Sequence, residues 1–261
     1  MGSIISIANQ KGGVGKSTTA QALSAGLSFT GQKTLLIDLD PQGNVTYTTG
    51  ADPAQGTSYD LLTGNADARE VIQATAQGDV IPAGRMLSRL DIELSATTGK
   101  EYRLMEALAP VKEKYQMIVL DTPPALGILT VNAFTASDSV IIPAQADIFS
   151  LQGVGQLYDT VEVVRKYCNP TLSIAGILLT RHNTRTILSR DLQDLMAQTA
   201  EQIGTSLFTS MIREGIAVKE AQANRQSLFD YSPSSNPAQD YRAFISELAE
   251  RMGTHAKEFQ G

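Results

Sequence analysis

The chain has 261 residues, with 21 Lys and Arg against 27 Asp and Glu, a net charge of −6, and 42% hydrophobic residues. That length supports one α/β domain with a full core. The acidic balance excludes a simple polycation that coats nucleic acid and leaves room only for a local basic patch. The single cysteine, Cys168, excludes an intrachain disulfide and any zinc or iron–sulfur site built from the cysteines of one chain. It fits a reducing cytosol and is expected to be an inert residue near a helix end. No stretch reaches the roughly 20 apolar residues of a membrane span. The first apolar run is too short, and lacks the charged start, of a signal peptide, so a cytoplasmic protein is expected.

In chain order, an apolar run at residues 4–8 predicts a strand, and a helix is predicted over 16–30 with Gly31 at its C-terminal cap. Between them runs Ala8-Asn9-Gln10-Lys11-Gly12-Gly13-Val14-Gly15-Lys16-Ser17-Thr18-Thr19. Strand, glycine-rich loop and helix form the setting that a phosphate-binding loop requires. Glycines at 12, 13 and 15 let the backbone wrap a compact anion, because no Cβ blocks positive φ or close approach. The freed N–H groups form an anion nest, and the helix start adds its own unpaired N–H groups and dipole. Lys16 is expected to reach the β- and γ-phosphates, Ser17 to hold Mg²⁺ and Thr18 to touch the α-phosphate. The strict pattern fails at its first position, Gln10, and an additional lysine, Lys11, precedes the usual one.

Further strands are predicted at 34–39, 117–120, 139–142 and 174–179, with weaker ones at 80–82 and 206–212. Helices are predicted near 100–114, 153–167, 186–203 and 237–252. The segment Ser232-Pro233-Ser234-Ser235-Asn236-Pro237 reads as a loop before the last helix. Continuous apolar runs suggest strands covered on both faces, and their alternation with helices implies right-handed crossovers and a mostly parallel sheet. The expectation is a single α/β domain over 1–261, with a three-layer P-loop NTPase fold: a mostly parallel twisted sheet flanked by helices.

Metal-dependent phosphoryl chemistry needs carboxylates at the carboxyl ends of neighbouring strands. Asp38 and Asp40 supply one site, in Asp38-Leu39-Asp40-Pro41-Gln42-Gly43-Asn44; Asp121 supplies another, after Met117-Ile118-Val119-Leu120. A lone Asp at a strand end is ordinarily a turn or a helix cap. Two such sites beside a phosphate loop point instead to chemistry. Asp121 looks like a Walker B carboxylate that contacts Mg²⁺ directly or through water. Asp40, fixed by Pro41, is the candidate for orienting the attacking water. Asp38 is expected near the metal or the loop.

Together these segments resemble the ParA/Soj family of partition ATPases, within the MinD-like group of P-loop proteins. Asn9 to Thr18 is similar to the family's deviant Walker A motif, Asp38 to Asn44 to its second motif, and Asp121-Thr122-Pro123-Pro124 to its third, where many members have cysteine instead of Thr122. The likeness continues through Leu129-Thr130-Val131-Asn132-Ala133, Ile142-Pro143-Ala144-Gln145, Gly176-Ile177-Leu178-Leu179-Thr180 and Arg185-Thr186. It implies an Mg²⁺-dependent ATPase whose ATP pocket includes Lys11, Gly12, Gly13, Val14, Gly15, Lys16, Ser17 and Thr18. It implies an ATP-dependent homodimer in which Lys11 reaches the nucleotide of the opposite subunit, with Gly12 at the interface. It further implies nonspecific DNA binding by the dimer, stimulation by a ParB-like partner, and a nucleoid-associated role in segregating plasmid or chromosomal DNA. Asn183 and the segment after Phe208 are candidate adenine contacts.

Arg185 matches a DNA-facing position of the family, and Arg213, Lys219 and Arg225 are further candidates. The match thins at Ile212-Arg213-Glu214-Gly215-Ile216-Ala217, where the family's proline is absent and its second arginine falls on Ala217. The first predicted strand starts at once, so no N-terminal helix-turn-helix extension is expected. Three alternatives stay open. One is a MinD-type membrane-cycling ATPase, using the stripe Tyr241, Phe244, Ile245, Leu248 and Met252 as a membrane foot. That stripe reads equally as a helix docked on the core, and its acidic polar face suits an anionic membrane poorly, so no stable membrane association is expected. The others are a nucleotide switch with negligible hydrolysis and a positioning ATPase for another cargo.

Overall fold

The computed structural model describes residues 2–182 and 187–253. In chain order the chain forms β1 (Ser3–Ile7), α1 (Lys16–Phe29), β2 (Thr34–Asp38), α2 (Asn44–Thr49), α3 (Ser58–Thr63), α4 (Ala68–Val71), β3 (Gln73–Thr75) and β4 (Gly78–Ile81). There follow α5 (Leu90–Glu93), α6 (Arg103–Leu108), β5 (Met117–Asp121), α7 (Ile128–Ala136), β6 (Ser139–Ala144), α8 (Ile148–Tyr167) and β7 (Ser173–His182). The last elements are α9 (Ile187–Gln202), β8 (Ile212–Arg213), α10 (Ile216–Ala223), α11 (Leu228–Tyr231) and α12 (Asn236–Arg251).

One eight-stranded sheet runs in the order β3-β4-β2-β5-β1-β6-β7-β8. Every neighbouring pair is parallel except β3 with β4 at one edge. The expected three-layer α/β fold is therefore the observed one. Successive side chains of a strand point to opposite faces, and the core divides accordingly. Leu35, Ile37, Ile118 and Leu120 pack with α3, α6, α7, α8 and α9 on one face. Ile5, Ile7, Leu36 and Val119 pack with α1, α10, α11 and α12 on the other. Both faces are covered, so β2, β5 and β6 are buried along their whole length. Each fully buried aliphatic or aromatic side chain contributes about 1.5–3 kcal/mol.

The stripe on the last helix belongs to this core. Tyr241, Phe244, Ile245 and Leu248 are all buried, and Phe244 meets Phe208 edge to face at 4.9 Å. Gly26 of α1 lets α12 approach closely: a Cβ there would lie 2.3 Å from Ile245 Cδ1. Among the described residues no helix is long and apolar enough to cross a membrane.

Several elements differ from the sequence expectation for identifiable reasons. The helix expected over 100–114 is a short α6 between two 3₁₀ turns, Lys100–Tyr102 and Lys112–Lys114. Pro110 lacks an N–H and cannot continue a helix interior. Helix α8 begins earlier than expected because Asp147 caps it, accepting from Ser150 N at 2.8 Å. The weak strand at 206–212 shrinks to β8 plus a bridge from Leu207 to Ile177. Cys168 is a free thiol at the C-cap of α8.

Candidate nucleotide site

Strands β1, β2 and β5 end together. Asp121 stands in register with Ile7 on one side and Asp38 on the other, so the phosphate loop and both acidic segments leave the sheet at one edge. The loop turns through two left-handed glycines, Gly13 at φ 77° and Gly15 at φ 86°. A Cβ on Gly13 would meet no protein atom within 4 Å, so glycine is required there for φ, and the concave side stays open. Gly15 caps α1 without a side-chain hydrogen bond, leaving the first N–H groups of a 14-residue helix facing outward.

The loop is braced from behind. Asn9 is buried, donates to Pro143 O at 2.7 Å and accepts from Lys11 N at 2.9 Å, fastening the loop to β6. Thr180 of β7 donates to Val14 O at 2.8 Å. Thr122 donates to Ile7 O at 2.9 Å, tying the end of β5 to β1.

In front of the loop lies a cavity of about 680 Å³, the size of a small-molecule site. The loop glycines, Lys16, Ser17, Thr18 and Asp40 line it, together with Gln21, Tyr47, Arg181 and Gln222. Lys16 is 7% exposed, and its ammonium donates back to Lys11 O at 3.1 Å. Burial lowers its pKa, while the nearby carboxylates of Asp121 and Asp40 hold its charge.

The three aspartates differ sharply. Both oxygens of Asp38 are engaged: Oδ1 accepts from Asp40 N at 3.1 Å, and Oδ2 accepts from Thr46 N at 2.8 Å and Thr46 Oγ1 at 2.7 Å. Burial raises its pKa to about 6 against those bonds. Asp38 thus spends three accepted hydrogen bonds on Asp40 and the start of α2, and it braces the turn that carries Asp40. Asp40 lines the cavity, with Oδ1 accepting from Gln42 N at 3.0 Å. Asp121 is fully buried, and among the described residues neither carboxylate oxygen has a partner in good hydrogen-bond geometry. Burial, then the neighbouring Asp38 charge, pushes its pKa well above the usual carboxylate range. The Ser17 hydroxyl and Lys16 lie close enough to favour the charged form.

A buried, unpartnered carboxylate facing a hydroxyl suits a hard, oxygen-seeking cation such as Mg²⁺. Among the described residues no group of three or more His, Cys, Asp or Glu could hold a metal. That donor set fits an ion that takes one carboxylate and completes its shell with substrate phosphates and water.

Residues 2–174 match the family model of an AAA domain. The chain is 41% identical over 253 residues to the sporulation initiation inhibitor protein Soj of Bacillus subtilis, covering 95% of this chain and 99% of Soj. It is 38% identical over 255 residues to the chromosome partitioning protein ParA of Caulobacter vibrioides, covering 95% and 94%. The chain belongs to the ParA/Soj family of partition ATPases. Among solved structures, a cobyrinic acid a,c-diamide synthase from Mycobacterium smegmatis with bound ATP analog and magnesium superposes with a TM-score of 0.84. It is 30% identical, and the match covers all of both chains.

In this ParA/Soj-family chain the additional lysine turns away from its own cavity. Lys11 Nζ donates to Asp147 Oδ2 at 2.5 Å and lies 3.5 Å from Ser150 Oγ. Asp147 is held below the usual carboxylate range by the Lys11 ammonium and the Ser150 N–H, against the opposing effect of its burial. A Cβ on Gly12 would meet nothing within 4 Å.

Two of the described DNA candidates are already engaged within the chain. Arg213 is clamped by Asp240 of α12 at 2.6 and 2.9 Å. Arg225 lies over the Tyr47 ring at 4.6 Å. Lys219 is exposed on α10 and, alone of these three, has neither an acidic nor an aromatic partner among the described residues. Arg185 and Asn183 lie outside the described residues. Sequence reasoning missed Asn9 as a brace, Asp147 as the partner of Lys11, and Gln21, Tyr47 and Arg181 as cavity walls; Gln222 lies in the segment after Phe208 named as a candidate nucleotide contact. Asp147 carried a legible signal, an N-cap aspartate three residues before Ser150; the cavity walls carried none, because they meet the loop only through the fold.

Proposed function

We propose that this chain hydrolyses ATP with Mg²⁺, forms a homodimer when ATP is bound, and uses that cycle to segregate or position DNA. The observation that carries the reading is Asp121: a fully buried carboxylate with two unpartnered oxygens, set behind a phosphate loop beside Ser17 and Lys16. The N–H groups of residues 12–18 and the Lys16 ammonium hold the phosphates. Ser17 and Asp121 hold Mg²⁺, which neutralises charge on the phosphate oxygens. Thr18 donates to the α-phosphate. Asp40 accepts a hydrogen bond from the attacking water and orients it. Lys11 of a second copy adds a cation at the γ-phosphate, where negative charge spreads in the transition state.

The relatives' printed roles in chromosome partitioning support DNA as the cargo surface and a ParB-like protein as the stimulating partner. DNA binding is nonspecific and electrostatic, with Lys219 and Arg185 as its leading residues; Arg213 and Arg225 must first leave Asp240 and Tyr47. The expected location is the cytoplasm, on the nucleoid when ATP is bound. The membrane-cycling alternative loses its main support, since the apolar stripe of α12 is buried in the core.

The test is ATP turnover by the full chain with Mg²⁺, alone, with DNA, and with DNA plus the product of the neighbouring gene. Stimulation by the complete mixture supports partition activity. Tight ATP binding without turnover under any condition would replace it with a nucleotide switch.

A further inference from the structure

Part of the cavity wall comes from α10, some two hundred positions from the loop in sequence. Gln222, in the last turn of α10, lines the cavity, and its Nε2 donates to Thr18 Oγ1 at 3.1 Å. A threonine hydroxyl has one proton and two lone pairs. Once an amide N–H occupies one lone pair, the proton and the second lone pair remain, and only the proton can bond a phosphate oxygen. We propose that Gln222 is a positioning residue of the nucleotide site, one that presents the Thr18 hydroxyl as a donor to phosphate and couples occupancy of the site to α10. The inference rests on reading the cavity as a nucleotide site.

The end of α10 is fastened to α1 a second time, one turn further along. Gln77 Nε2 donates to Thr48 O at 2.8 Å and to Arg225 O at 3.2 Å, so its Oε1 is left to accept from Gln21 Nε2 at 2.7 Å. Backbone carbonyls only accept, which fixes the orientation of both amides. Gln21 and Gln77 are both buried, and Gln21 also lines the cavity. Just past α10, Arg225 holds a left-handed φ of 53° with its guanidinium stacked on Tyr47. Non-glycine residues persist in that region where the surroundings over-determine them. The C-terminal turn of α10 is thus built onto the helix that opens the phosphate site. A phosphate oxygen that accepts the Thr18 proton polarises the hydroxyl and strengthens the bond from Gln222. ATP therefore tightens α10, and α10 tightens ATP by the same factor.

The experiment measures ATP affinity by calorimetry with Mg²⁺ on the full chain. It compares wild type, Gln222→Ala, Gln222→Glu, Thr18→Val, and the Thr18→Val/Gln222→Ala double variant. Hydrogen exchange of residues 216–225 is followed with and without ATP. Gln222→Ala is expected to weaken ATP about two- to threefold, because the bond exists without ATP and only its strengthening on binding enters the affinity. Gln222→Glu keeps the shape but only accepts, and it adds negative charge beside the phosphates, so it weakens ATP further. In the Thr18→Val background, Gln222→Ala has no additional effect. ATP slows exchange in α10 of wild type and leaves it unchanged in Gln222→Ala. Equal losses in both Thr18 backgrounds, wild-type affinity in Gln222→Glu, or exchange in wild-type α10 that ignores ATP would each overturn the coupling. Failure of wild type to bind ATP overturns the nucleotide reading itself; wild-type binding with an unaffected Gln222→Ala overturns only the role of Gln222.

Discussion

The Lys11 ammonium is held by Asp147, the residue that caps helix α8, at 2.5 Å within the same chain. A lysine proposed to serve a second copy is thereby engaged at home in the single chain, so pairing with Asp147 competes with pairing across a dimer.

Asp147→Asn tests that competition, because asparagine caps a helix as well as aspartate but carries no charge. Both side chains of the pair are about one-third exposed, so its worth is modest. The variant is expected to dimerise at about two- to fivefold lower ATP concentration, as read by sizing or light scattering. Unchanged dimerisation would mean that Asp147 does not restrain Lys11. The pair also has a pH signature. Asp147 is depressed in the folded chain, so its contribution is present above the unfolded carboxylate value and lost as pH falls through its lowered folded value.

Lys16→Ala removes a buried cation whose charge Asp121 and Asp40 favour. Charge-assisted hydrogen bonds to phosphate are worth about 1.5–3 kcal/mol. ATP affinity is expected to drop by about ten- to a hundredfold or more, measured by calorimetry. Retained affinity would move the phosphate site away from this loop.

Asp40→Ala is expected to bind ATP near normally and to lose about 10²- to 10⁴-fold in turnover, the usual reach of a general base. Single-turnover hydrolysis measures it directly. Normal hydrolysis assigns the water-positioning role elsewhere.

Asp38 and Asp121 predict how stability varies with pH in the absence of ligand. Both have folded values raised above the unfolded carboxylate value, Asp38 to about 6 and Asp121 well upward. The folded state then binds more protons than the unfolded one, so their joint contribution falls as pH rises from about 4 through 6 and beyond. Thermal melts should show this loss, and Mg²⁺ with ATP should reverse it by supplying a cation to Asp121. Asp121→Asn should raise the Tm of the ligand-free protein by about 2–4 °C for each kcal/mol recovered, and remove the stabilisation by Mg²⁺. A lower Tm in Asp121→Asn contradicts the reading of this carboxylate as an uncompensated buried charge.

The sheet was legible because β1, β2, β5 and β6 are short apolar runs between helices, and covering both faces requires that pattern. Helix α7 was not, because it is buried nearly all round and shows no amphipathic period: Leu129, Thr130, Ala133 and Phe134 are all covered. The phosphate loop and the carboxylates were legible as types, since all lie at strand ends. Their division of labour was not. Asp38 and Asp121 sit side by side in register, yet Thr46 bonds to one, while among the described residues neither oxygen of the other has a partner in good hydrogen-bond geometry. Thr46 turns toward Asp38 only because Gly43, at φ 65°, starts a helix there. The basic candidates likewise read as cations in sequence, and only the fold shows that Arg213 is already answered by Asp240.

The Asn9 clamp bears on how far Lys11 can travel. One amide grips the neighbouring strand at Pro143 and the backbone under Lys11 at once, so the base of the lysine is a fixed pivot rather than part of a swinging loop. Whatever group Lys11 serves must be delivered to within the arc of a single side chain. In the proposed ATP-bound pair, the two copies would have to be aligned with the tolerance of one aliphatic tether, and an ill-seated pair would gain nothing from the lysine.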